Sequence, residues 1–136
     1  MMKMKTGLFQ EKRIKNQMPK NKESTRAFSD AQEKNVCKKL GAIQQPNSGA
    51  GKFRKGDVIS YKSSILIECK TPTSEKESFS IKKDWIKKNK DEAFTQRVYN
   101  GCIAFTFGPG QENYFVIDEK LMKFLVEKLE EDLNSY

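Results

Sequence analysis

The chain has 136 residues, with 26 Lys and Arg against 18 Asp and Glu, no histidine, and a formal net charge of +8. That length suits one domain burying roughly two-thirds of its surface, and no apolar run approaches the about 18 residues of a membrane span. The lack of histidine removes Ser-His-Asp triads, His-containing zinc sites and histidine-centred nucleases. Chemistry is left to carboxylate, lysine, hydroxyl, thiol or a metal, and the positive charge points to an anionic partner.

Residues 1–26 are polar, weakly periodic and basic: Lys3, Lys5, Lys12, Arg13, Lys15, Lys20 and Lys22 face only Glu11 over the first 22 positions. They read as a basic, mobile arm that contacts an anionic partner or merely solubilises the chain. The start lacks the apolar core of a secretory signal, so the expected location is intracellular. Residues 27–136 form the predicted single domain.

Ser29 or Asp30 is placed to cap a helix running to Leu40, with Val36, Cys37 and Leu40 inward and Gly41 ending it. On this helix Glu33 lies one turn before Cys37, near the edge of the apolar face, where it either looks inward or, as the pattern alone favours, is exposed and pairs with Lys34 or Lys38. The loop Pro46–Gly56 is rich in small and basic residues; its Gly49-Ala50-Gly51-Lys52 lacks Walker A spacing and has Phe53 where a hydroxyl should follow. Asp57–Tyr61 and Ile65–Lys70 are predicted strands joined by a turn at Lys62-Ser63-Ser64.

Thr71-Pro72-Thr73 stops the second strand. A helix then runs from Lys82 to about Asn100, with Ile81, Trp85, Ile86, Ala93 and Phe94 as its apolar stripe and lysines, including Lys82 and Lys83, on the other face. That basic face either tracks a phosphate backbone or is simply solvated. Cys102–Phe107 and Tyr114–Ile117 form a hairpin around a Gly-Pro-Gly turn. Asp118 opens a last helix whose Leu121, Leu125 and Leu129 form core or, alternatively, a dimer face. Cys37, Cys69 and Cys102 have no metal or disulfide spacing and read as small buried hydrophobes.

The stretch with the most chemistry is Asp57–Lys70. Glu68 and Lys70, two apart on an apolar strand, leave the same face while Cys69 points to the other. Antiparallel pairing of the two strands brings Asp57 near Glu68. A few charged oxygens of this kind suit Mg²⁺, which keeps waters and shares its other positions with substrate phosphate.

These residues resemble the PD-(D/E)-x-K nuclease superfamily, and within it the archaeal and phage Holliday junction resolvase-like proteins. The similarity spans about Ala31 to Asp118, with Gly56 standing at the position of the family proline. Glu33 matches the helix glutamate, Ser48 the loop serine, Asp57 and Glu68 the metal carboxylates, and Lys70 the motif lysine. Gln96 and Tyr99 are similar to an accessory pair of some exonuclease branches.

The resemblance implies an α/β fold with a restriction-endonuclease-like core, a mixed central β-sheet flanked by α-helices in the order α-β-β-β-α-β-β-α. It implies a metal-dependent endonuclease cutting DNA phosphodiester bonds, foremost a homodimeric resolvase of branched DNA in recombination and repair. A nicking or repair endonuclease and a non-catalytic nucleic-acid-binding protein are the alternatives.

In this scheme Mg²⁺, replaceable by Mn²⁺, is held by Asp57, Glu68 and the Cys69 backbone carbonyl, with Glu33 reaching it through water. Lys70 orients the attacking water and stabilises the growing negative charge. Ser48 holds a phosphate oxygen, and Lys52, Arg54, Lys55, Lys82 and Lys83 guide the DNA backbone.

Overall fold

The element order follows from alternating runs of β-branched residues and helix formers. The computed structural model describes residues 22–45 and 57–135, and contains α1 (Lys22–Leu40), β1 (Ile43–Gln44), β2 (Val58–Ser60), β3 (Ile65–Lys70), α2 (Lys83–Thr95), β4 (Asn100–Phe105), β5 (Tyr114–Val116) and α3 (Glu119–Asn134). The protein is therefore α/β, with the expected succession α-β-β-β-α-β-β-α.

The five strands form one mixed sheet in the order β1-β2-β3-β4-β5. Only β3 and β4 are parallel, with Ile65 opposite Asn100 and Lys70 opposite Phe105; the other pairs are antiparallel. A parallel pair needs a crossover, and α2 supplies it.

Strand alternation divides the core between the two faces of the sheet. On one face Val58, Ile67, Cys69, Cys102 and Ala104 pack against Val36 of α1. On the other, Ile59 and Leu66 pack against Ala93 of α2 and Val98. Burial of such aliphatic side chains stabilises by about 1.5–3 kcal/mol each relative to exposure. Glu68 and Lys70 have the parity of Leu66 and so lie on the α2 side, while Cys69 is buried on the α1 side as expected.

Asn89 locks α2 to the sheet. It is buried, its Nδ2 donates to the Leu66 carbonyl at 3.2 Å, and a Cβ at Gly101 would overlap its side chain. Gly101 on β4 thus leaves room for the Asn89 side chain where helix and strand pack together.

Several helix expectations are corrected. The first helix begins at Lys22, inside the segment read as an arm, and passes through Ser29 and Asp30 without a cap there. Asp30 instead pairs with Lys34 at 3.0 Å and accepts from Gln44 Nε2 at 2.7 Å, so its side chain is drawn to β1. Gly41, at φ +64°, ends α1 as foreseen, the Ala42 N–H returning to the Cys37 carbonyl.

The second helix stops at Thr95, short of Asn100, because Arg97 adopts φ +62° and the Arg97 and Val98 N–H groups turn back to the Phe94 and Ala93 carbonyls. Leu40 and Phe94, expected inside, are 48% and 84% exposed. In α3 only Leu121 is buried; Leu125 and Leu129 face solvent, which overturns their reading as core. All three cysteines are free, with Cys69 and Cys102 buried and Cys37 half-buried. Among the described residues no helix is long and apolar enough to cross a membrane.

Candidate active site

The site forms where β2 begins and β3 ends, with α1 and α2 closing over it from opposite sides of the sheet. Val58 lies opposite Ile67, so continuing the antiparallel register by one residue sets Asp57 opposite Glu68. The Asp57 N–H donates to the Ile67 carbonyl at 3.2 Å, and its Oδ2 accepts from the Cys69 N–H at 2.7 Å. The carboxylate is thereby tied to the backbone between Glu68 and Lys70. The Cys69 carbonyl belongs to the peptide joining Cys69 to Lys70, adjacent to the same cluster.

Lys70 Nζ is 3.4 Å from Glu68 Oε2 and 4.5 Å from the centre of the Trp85 ring on α2. Trp85 packs on Phe79, which stacks on Phe105 at 5.1 Å. An ammonium between a carboxylate and an aromatic face is held in place. Lys82, beside the start of α2, reaches the same ring at 5.6 Å, and Lys82 and Lys83 are both exposed.

Glu33 comes from α1 and is only 6% exposed, so of its two readings the inward one is observed and pairing with Lys34 or Lys38 in solvent is not. Gln44 Nε2 on β1 donates to Glu33 Oε1 at 2.8 Å as well as to Asp30. Neighbouring Gln32 is also buried: its Nε2 donates to the carbonyls of Lys70 and Ala104 and to Asn113 Oδ1, while its Oε1 has no partner among the described residues. Gln32 therefore pins α1 across the ends of β3 and β4, and Glu33 is carried into the site with it.

Negative charge accumulates here. Burial, then the charges of Glu68 and Glu33, push Asp57 up to about 8, against the opposing Cys69 N–H and Lys70 ammonium. Burial likewise raises Glu33, which lies in hydrogen-bonding contact with Asp57. At neutral pH the Glu33–Asp57 pair retains a proton, and a divalent cation could take its place.

Among the described residues no group of three or more acidic or cysteine side chains is close enough to enclose a metal ion as it stands. The donors nonetheless fit Mg²⁺, which takes one or two carboxylates and completes its shell with water and substrate phosphate. Asp57 and Glu68 are such a pair.

Ser48, Lys52, Arg54 and Lys55 lie outside the described residues, as does most of the basic arm. Gln96 accepts from Gln45 Nε2 at 2.7 Å and Tyr99 is 87% exposed, so the structure gives this pair separate surroundings. Sequence reasoning missed Gln32, Gln44 and the role of Trp85. A polar pair, Gln32-Glu33, beside the inward-facing Val36 was the one available signal for a buried polar helix face.

Comparison of the chain with protein-family models, with curated proteins and with solved structures finds no match.

Proposed function

We propose that the protein is a metal-dependent endonuclease of the PD-(D/E)-x-K type, hydrolysing DNA phosphodiester bonds at the Asp57–Glu68–Lys70 cluster. The observation that carries this reading is the convergence of three carboxylates and one oriented ammonium at the end of two paired strands, with Asp57 pushed up to about 8. Asp57 and Glu68 would hold Mg²⁺, with the Cys69 carbonyl as a further oxygen. The ion, when bound, supplies Lewis-acid polarisation of a phosphate oxygen and acidifies water.

The chain's own groups perform the rest. Lys70, confined by Glu68 and Trp85, presents a fixed positive charge toward developing negative charge on the phosphate, an interaction that strengthens in the transition state. Glu33, held by Gln44, accepts or relays a proton from water next to Asp57. Lys82 and Lys83 at the start of α2, together with the basic loop before Asp57, attract the DNA backbone, in keeping with the +8 charge. The likeness to resolvases favours branched DNA, and such a protein acts inside the cell.

Cutting of four-way, flapped, nicked and linear duplexes of equal length in Mg²⁺ and in EDTA tests the reading. Mg²⁺-dependent cleavage with a preference for the four-way junction is expected. Equal cutting of linear duplex would move the assignment to a nicking or repair endonuclease, and cleavage undiminished in EDTA would overturn the metal chemistry.

A further inference from the structure

Helix α3 is exposed along almost its whole length. Leu121 is buried at its base, and every residue from Met122 to Ser135 is exposed. A helix of 16 residues gains little from propensity alone; amphipathic helices owe most of their stability to packing of the apolar face. Here that face has nothing beneath it among the described residues.

The face is nevertheless ordered. Met122, Val126, Leu129 and Leu133 are spaced four, three and four residues apart, the alternation that forms a continuous seam between paired helices, and Leu125 widens it. Their exposures run from 41% for Val126 to 64% for Leu133. The charges beside the seam are segregated. Lys120 and Lys123 outnumber Glu119 in the first half, while Glu127, Glu130, Glu131 and Asp132 crowd the second, where Lys128 is the sole base and pairs with Glu131 at 3.4 Å.

This pattern distinguishes the occupants. Parallel packing of two copies would set Glu130 beside Leu125 of the other copy and leave it without a basic partner. Antiparallel packing sets Val126 against Leu129 and Met122 against Leu133, and brings Lys123 beside Glu130 of the second copy, twice by symmetry. An anionic lipid surface would meet the acidic half of the helix and be repelled.

We propose that α3 is a dimer interface in which a second copy of this chain packs its own α3 antiparallel across the Met122–Val126–Leu129–Leu133 seam. The proposal stands apart from the nuclease reading, since none of these residues belongs to the carboxylate cluster.

Sedimentation velocity of the full chain from about 1 to 100 μM, with circular dichroism to check folding, supplies the test. Wild type should sediment as a dimer and Leu129→Lys as a folded monomer. Lys123→Glu and Glu130→Lys should each raise the dissociation constant about tenfold, because each variant turns two attractions into repulsions. Mixing these two single variants should yield a heterodimer tighter than either homodimer, and the double variant Lys123→Glu/Glu130→Lys should recover wild-type association. A monomeric wild type at 100 μM overturns the proposal, as does a dimer indifferent to Leu129→Lys or a mixture showing no preference for the heterodimer. So does a dimer lost on deletion of residues 1–21, which would make the arm the element that joins the copies.

Discussion

Replacing Asp57 by Asn separates a charge-crowded site from an ordinary strand end without using activity. Burial and the charges of Glu68 and Glu33 raise Asp57 from 3.8 to about 8. The folded state therefore holds a proton that the unfolded chain has released. Its contribution is most favourable below about pH 4 and is lost as pH rises toward 8. The rise is roughly four pH units at about 1.4 kcal/mol each, a ceiling of about 6 kcal/mol. Sharing of the proton between Asp57 and Glu33 and entry of water bring the measurable loss between pH 5 and 8 to the order of 2–3 kcal/mol.

Urea unfolding of metal-free protein, followed through its single tryptophan, Trp85, should show that decline. Asp57→Asn should be flatter across this range and more stable than wild type at pH 8, since the amide oxygen can still accept from the Cys69 N–H. Mg²⁺ should restore wild type at pH 8, by about 2.7 kcal/mol at one hundred times its dissociation constant, and leave Asp57→Asn largely unmoved. Wild-type stability that stays level from pH 5 to 8 and ignores Mg²⁺ would refute the crowded-carboxylate account.

Lys70→Ala should lower DNA cleavage at least about a hundredfold while a filter-binding assay shows DNA affinity nearly unchanged. Trp85→Leu removes the aromatic face under Lys70 and should cost about fivefold in turnover, with Trp85→Phe recovering most of it. Gly101→Ala drives a methyl into the Asn89 side chain and should destabilise by about 1–3 kcal/mol in urea unfolding. Deletion of residues 1–21 should weaken binding to all DNA sequences alike and flatten the dependence of log K on log salt, as measured by fluorescence anisotropy.

The contribution of sequence and of tertiary structure divides along the range of the interactions. Strand alternation and a short turn are local, so the pairing of β2 with β3, the shared face of Glu68 and Lys70 and the approach of Asp57 were legible in fourteen consecutive residues, Asp57 to Lys70. The α/β order was likewise readable from the changes of hydrophobic period. β1, two residues long, carries no period, yet its Gln44 holds Glu33 in the site.

Burial of Glu33 depends on how α1 is fastened to the distant strands by Gln32, whose partners Ala104 and Asn113 are 72 and 81 residues away. Trp85 came to lie against Lys70 only because the crossover helix α2 returns over the end of β3. An amphipathic stripe such as that of α3 specifies that an apolar face exists, and the same spacing serves a core or an interface. Tertiary structure decided that this face points outward, because the sheet is already covered by α1 and α2 and leaves α3 only Leu121 as an anchor.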